Sequence, residues 1–143
     1  MTYDKRKDVD ALIEHFWKRG YMTVSRKYGT YLPEPDKVGI YDVDVIARYN
    51  DSFAIGIVLN DEDFIDLNKT QNKIIYLSTR QTKFNGKRVA LFIGVSLKNY
   101  KIAKSLLNTL PDEVKKNIRL IQIIDHQNPE QSLRRKNNNV LFS

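Results

Sequence analysis

The sequence predicts an α/β domain in which helices flank a mixed central β-sheet. An amphipathic segment opens the chain, two alternating segments meet at a turn signal, and two continuous apolar runs follow, each after a helical pattern. Strands that alternate with helices imply parallel crossovers, whereas strands joined by a short turn pair antiparallel. The expected order is therefore helix, three strands, helix, strand, helix and strand, abbreviated αβββαβαβ.

The first helix is predicted over residues 8–20. Its apolar side chains recur at helical spacing and form one stripe: Val9, Leu12, Ile13, Phe16 and Trp17. Asp8 is suited to cap the start, and Gly20 is suited to end the helix in a left-handed conformation. Residues 21–32 are rich in Tyr, Thr and Val and predict a strand, and the prolines in residues 33–36 then require a loop.

A β-hairpin is predicted next, because two alternating segments flank a turn signal. Residues 38–49 alternate and place Asp42 and Asp44 on one face of the first strand, opposite an apolar face. Asn50-Asp51 favours a tight turn. Residues 53–60 then form the returning strand, whose larger apolar side chains share one face.

The second half of the chain alternates helical and strand patterns. A second helix is predicted over residues 61–81, where three acidic residues favour its N-terminal end. The apolar runs at residues 89–95 and 118–124 indicate strands that are covered on both faces. Between them, residues 96–110 carry the apolar stripe of a third helix.

Length and composition indicate a single domain in residues 1–125, followed by a polar, basic tail in residues 126–143. The chain has no cysteine, which excludes disulfides, thiolate zinc sites and a cysteine nucleophile, and predicts a cytoplasmic location. No apolar run approaches the ~18 residues that span a bilayer, so no membrane partner is expected. The formal net charge of +7 favours an anionic partner such as nucleic acid.

The predicted hairpin contains a characteristic run of residues: Gly39, Asp42-Val43-Asp44-Val45-Ile46-Ala47 and Phe53-Ala54-Ile55-Gly56-Ile57. This pattern resembles the PD-(D/E)XK nuclease superfamily, which includes restriction endonucleases and Holliday-junction resolvases. The order of elements over residues 8–124 is also similar. The resemblance implies a restriction-endonuclease-like core, Mg²⁺-dependent cleavage of DNA and, as in many such enzymes, a homodimer.

The resemblance fails at the catalytic positions. Where the family has a metal-binding acid and a lysine in the motif E-x-K, this chain has Val58-Leu59-Asn60. Asp44 stands at the family's other metal-binding aspartate. Because Mg²⁺ requires several oxygen ligands, and valine offers none, the sequence predicts that nuclease activity is lost and that no cofactor is bound.

Three hypotheses for function follow. The first is a catalytically degenerate nuclease-fold domain that binds nucleic acid, DNA more than RNA, or acts in a nucleic-acid-processing assembly. The second is an active endonuclease with relocated ligands, in which Asp44 and Asp42 are catalytic and Asp44 and Asp61 bind Mg²⁺. The third is a protein-interaction module. Candidate contacts to nucleic acid are basic residues near the resembled substrate path or on the second helix: Arg26, Lys27, Lys69, Lys73, Arg80, Lys83, Lys87 and Arg88.

Overall fold

The computed structural model describes residues 5–123. Its regular elements follow the predicted αβββαβαβ order, with one short extra helix before the last strand. The elements are α1 (Lys5–Lys18), β1 (Met22–Arg26), β2 (Val45–Tyr49), β3 (Ser52–Val58), a 3₁₀ helix (Asp61–Phe64), α2 (Leu67–Ser78), β4 (Ala90–Ser96), α3 (Leu97–Asn108), α4 (Asp112–Lys115) and β5 (Ile118–Ile123).

The five strands form one mixed sheet in the order β1-β2-β3-β4-β5. The first three strands are antiparallel, and β4 and β5 extend the sheet in parallel from β3. The two parallel crossovers move across the sheet in the same direction, so α2 and α3 lie on the same face. The predicted fold class, a mixed sheet flanked by helices, is confirmed.

One hydrophobic cluster lies on each face of the sheet, and we call the one beneath α1 the α1-side cluster. On one face, α1 contributes Val9, Leu12 and Phe16 to a cluster with side chains from all strands except β1. On the other face, α2 and α3 pack over Ile55, Ile57 and the apolar residues of β4. The strand β4 is therefore covered on both sides, as its continuous apolar sequence predicts.

The first helix differs from its prediction in two respects. It begins at Lys5, so Asp8 lies in its first turn and does not cap it. Trp17 is 77% exposed, and its assignment to the apolar stripe is wrong because the cluster takes Val9, Leu12 and Phe16. The helix ends as predicted, with Gly20 at a positive φ of 87°.

The strands that flank the first long loop are shorter than predicted. Tyr28 has a φ of 61°, and β1 has already ended at Arg26 instead of residue 32. The strand β2 begins only at Val45, because Gly39 (φ 63°) turns the chain and an isolated bridge joins Val38 to Tyr41. The predicted strand face that carries two carboxylates is therefore wrong.

The predicted second helix is divided in two. After the 3₁₀ helix, α2 starts anew at Leu67, where the side chain of Asp66 accepts a hydrogen bond from the Lys69 N–H at 3.1 Å. This restart sets the buried face of α2, which includes Thr70 and Ile74. Among residues 5–123, no helix combines the length and apolar character needed to cross a membrane. The predicted tail, residues 126–143, lies outside the described residues.

Candidate functional site

Asp44 is a buried carboxylate at the point where β2 begins beside the end of β3. Its side chain is 5% exposed. One oxygen, Oδ2, accepts a hydrogen bond from the Val58 N–H at 2.7 Å, and the other, Oδ1, lies 3.0 Å from the Lys5 ammonium. Both carboxylate oxygens therefore already have a strong partner.

The backbone around Asp44 holds this carboxylate in place. The Asp44 N–H donates to the Gly56 carbonyl, and the Asp44 carbonyl accepts from the Lys27 N–H, each at 2.9 Å. These bonds tie Asp44 to β3 on one side and to the chain after β1 on the other. The carboxylate thus lies at the carboxyl end of the parallel strands, where open α/β sheets bind their ligands.

Val58 and Asn60, which the resemblance aligns with a metal-binding acid and a lysine, provide no ionic group. Val58 is buried, and its side chain packs in the α1-side cluster. The Asn60 N–H donates to Asp63 Oδ2 at 2.8 Å, while the buried Asn60 Oδ1 has no hydrogen-bond partner within residues 5–123. The structure thus has one buried carboxylate, one buried amide oxygen and one aliphatic side chain at the three aligned positions.

Lys73 on α2 is partly buried and interacts electrostatically with Asp44. Burial lowers the pKa of Lys73, and the positive charge of Lys5 adds to this effect. Asp63, Asp44 and Asp42 act in the opposite direction but do not cancel it. Two lysines and three carboxylates therefore interact at this end of the sheet.

We expect Lys73→Met to stabilise the protein at pH 7, by on the order of 1 kcal/mol. The unfolded chain holds the Lys73 proton more tightly than the folded protein does, so the folded state gains stability as pH rises toward the ordinary lysine pKa of about 10.4. The stability difference between variant and parent should therefore shrink with rising pH, as urea denaturation between pH 7 and pH 10 would measure.

Lys69→Met is the matched control, because Lys69 lies one turn earlier on α2 and is exposed. Its effect on the free energy of unfolding at pH 7 should be no more than about 0.5 kcal/mol, as is usual for an exposed side chain. A loss of stability in Lys73→Met at pH 7 would mean that attraction to the three carboxylates outweighs the cost of burial.

The predicted metal ligand Asp61 lies in a different set of contacts. Its oxygens accept from the Asn99 amide at 2.7 Å and from the Lys98 ammonium at 3.1 Å, which ties the 3₁₀ helix to α3. Asn99, and then Lys98, lowers the pKa of Asp61. Asp42, the second predicted catalytic residue, is exposed. Across residues 5–123, no three or more His, Asp or Glu side chains are grouped to hold a metal ion.

The predicted nucleic-acid contacts fall at two ends of the sheet. Lys27 and Lys73 lie at the Asp44 end, and Lys69 is on the first turn of α2. The loop that holds Lys83 and Lys87 lies at the opposite end, because Lys87 pairs with Asp51 of the β2–β3 turn at 2.7 Å. These cations do not form one continuous surface.

Several of these cations already have partners within the fold. Arg26 forms an ion pair with Asp10 of α1. Arg80 donates to the Tyr76 carbonyl at 2.8 Å, and Arg88 to the Ser78 carbonyl at 2.9 Å. Their guanidinium groups hold loops to helices, which leaves fewer donors for phosphate. In the part of the chain that the structure describes, neither Lys69 nor Lys83 forms an ion pair.

Lys5 is the site residue that the motif analysis missed. The matched pattern begins only at Gly39, and the sequence predicts a first helix that begins at Asp8, after Lys5. A run of three basic residues, Lys5-Arg6-Lys7, was the only local signal. Because α1 extends back to Lys5, its first turn places an ammonium against Asp44.

No protein-family model, curated protein or solved structure matches this chain. The resemblance to PD-(D/E)XK nucleases therefore depends on the hairpin residues and on the order of the elements.

Proposed function

We propose that this chain is a non-catalytic, nuclease-like domain that binds nucleic acid, with DNA preferred over RNA. The observation that carries the proposal is the pairing of both Asp44 oxygens, one with the Val58 N–H and the other with the Lys5 ammonium. This carboxylate serves as a structural anion. The exposed lysines of the domain are the groups that contact the partner.

The loss of catalysis follows from the needs of a divalent cation. Mg²⁺ takes near-octahedral oxygen ligands and usually at least one or two carboxylates, which together offset its double charge. At Asp44 a metal ion would have to displace Lys5, and the neighbouring Val58 side chain offers it no oxygen ligand. A single ammonium balances a single carboxylate without further ligands.

Binding to nucleic acid is supported by charge. The chain carries a net charge of +7, and within residues 5–123 the exposed Lys69, Lys83, Lys101 and Lys104 form no ion pair. Unpaired ammonium groups are suited to phosphate oxygens, which they contact without reading sequence. We therefore expect salt-sensitive binding with little sequence preference.

A metal-dependent nuclease with relocated ligands is the second candidate. It is favoured by the electrostatic influence of Asp63, Asp44 and Asp42 on Lys73, which indicates that a lysine and three carboxylates lie near one another at this end of the sheet. In that case Asp42 or Asp63 would replace the missing acid, and Lys73 would replace the missing lysine.

Incubation of the protein with single-stranded and double-stranded DNA in Mg²⁺ or Mn²⁺ separates the two candidates. We expect no cleavage in either metal. Cleavage that Asp44→Ala abolishes and Asp51→Ala retains would overturn the proposal in favour of the nuclease, because Asp51 lies in the turn at the opposite end of the sheet.

DNA binding is tested in the same protein by fluorescence anisotropy at increasing NaCl. Counterion release predicts an affinity that falls linearly on logarithmic axes, with a slope close to the number of phosphates contacted. If neither DNA nor RNA binds at low salt, the chain is a protein-interaction module instead.

A further inference from the structure

An exposed aromatic surface lies where α1 ends. Trp17 is 77% exposed and Tyr49 of β2 is 50% exposed. Both flank Gly20: its N–H donates to the Trp17 carbonyl at 3.0 Å, and a Cβ added to Gly20 would lie 2.7 Å from the Tyr49 ring. Lys18 and Arg19, which lie between Trp17 and Gly20 in the chain, are also exposed. We call these four residues the Trp17 surface: Trp17, Lys18, Arg19 and Tyr49.

The Tyr49 ring is supported by other aromatic rings of the fold. It lies 5.9 Å from the ring of Tyr21, which in turn contacts Phe16 and Phe92 in the buried cluster at 5.7 and 5.8 Å. One side of Tyr49 is therefore supported by the fold, while half of the residue stays open to solvent. Such a ring loses little conformational freedom when a flat ligand stacks on it.

The charges of the Trp17 surface are not neutralised by ion pairs. Arg19 donates to the His15 carbonyl at 3.1 Å, which fixes the guanidinium and leaves its charge. Among residues 5–123, no carboxylate forms an ion pair with Lys18 or Arg19. Burial lowers the pKa of His15, Arg19 and Lys18 lower it further, and Glu14 opposes them. The local potential is positive.

We propose that the Trp17 surface binds single-stranded nucleic acid, with unpaired bases stacked on Trp17 and Tyr49 and phosphates held by Lys18 and Arg19. This inference rests on the proposed function and deepens it by naming the strand state and the contact residues. Exposed rings combined with cations are what strand-binding surfaces require, because every base has a face that stacks. In a duplex the bases are already stacked and their faces are not free.

The experiment uses the fluorescence of Trp17, the single tryptophan of the chain. The full chain is titrated with a labelled oligothymidylate of about 15 nucleotides, near the upper site size of a strand-binding OB-fold domain, and with a duplex of equal length. We expect the single strand to bind more tightly, to quench Trp17 emission and to be released by NaCl. Trp17→Ala and Tyr49→Ala should each weaken single-strand binding by roughly tenfold and leave duplex binding unchanged.

Two variants serve as controls. Trp17→Phe retains an aromatic ring and should keep most of the affinity for the single strand. Ile65→Ala removes an equally exposed apolar side chain that lies between the 3₁₀ helix and α2, and it should bind as the parent does. All four variants change exposed residues, and far-UV circular dichroism verifies that each is folded.

Different outcomes overturn the inference and the proposed function. If the single strand binds without quenching Trp17, and Trp17→Ala binds equally well, the Trp17 surface is not the site but nucleic-acid binding stands. If neither strand form binds at low salt, the proposed function itself fails. If Trp17 emission shifts with protein concentration in the absence of DNA, a second copy of the chain covers this surface and the inference is overturned.

Discussion

Replacing Asp44 with alanine is expected to lower the free energy of unfolding by about 2–3 kcal/mol. The substitution leaves the Val58 N–H without an acceptor in a buried position and leaves the Lys5 ammonium without its partner. Leaving the buried Val58 N–H without an acceptor costs the full desolvation free energy of that group. Leaving Lys5 unpaired costs less, because its side chain is partly exposed to water. Urea denaturation at neutral pH measures the difference.

Asp44→Asn separates the two contributions, because the amide oxygen still accepts from Val58 while the ion pair with Lys5 is lost. Its effect should be clearly smaller than that of Asp44→Ala. Asp42→Ala, at an exposed position two residues earlier, should change stability by no more than about 0.5 kcal/mol. An Asp44→Ala variant that is as stable as the parent would show that the carboxylate is retained for reactivity, and would contradict its structural role.

Phe16→Ala should have the largest effect on stability, about 3–5 kcal/mol. Phe16 is fully buried at the centre of the α1-side cluster, and its ring lies 4.3 Å from that of Phe92, measured between centroids. Truncation removes the contact with β4 and leaves a cavity that a helix spanning several strands cannot easily close. Thermal or urea denaturation gives the value directly.

The neighbouring Trp17 is the matched control for Phe16. It is the larger side chain, but its exposure means that Trp17→Ala should cost no more than about 0.5 kcal/mol. Similar effects of the two substitutions would contradict an α1 that directs Phe16 toward the sheet and Trp17 toward solvent. The sequence alone would assign both residues to the core.

The contrast between Phe16 and Trp17 shows where local patterns stop being informative. Adjacent helical residues point about 100° apart, so a stripe that is centred on Leu12 and Phe16 leaves Trp17 at its margin. Whether Trp17 is buried at that margin depends on how far the neighbouring sheet extends, and the helix sequence gives no information about this. By contrast, β4 was predictable because its apolar run needs cover on both faces wherever it lies.

The candidate site was predictable only where its residues lie on neighbouring elements of the chain. Asp44, Val58 and Asn60 follow from the alignment of one hairpin, because β2 and β3 are adjacent in sequence and pair directly. Lys5 did not follow, since an ion pair between residues far apart in the chain leaves no periodic signal. The turn at Gly39 was missed as well, and with it the separation of exposed Asp42 from buried Asp44.

The sequential order of the strands has a consequence for how the chain assembles. Within residues 5–123, each strand hydrogen-bonds only to the strands that precede or follow it directly in the chain. No strand of this sheet has to insert between two strands that are already paired. The β2–β3 hairpin can therefore form first, and β1 and β4 can then pair with its two sides. Since the entropic cost of closing a loop grows with the length of chain it encloses, this connectivity favours faster folding than an order that pairs strands distant in sequence.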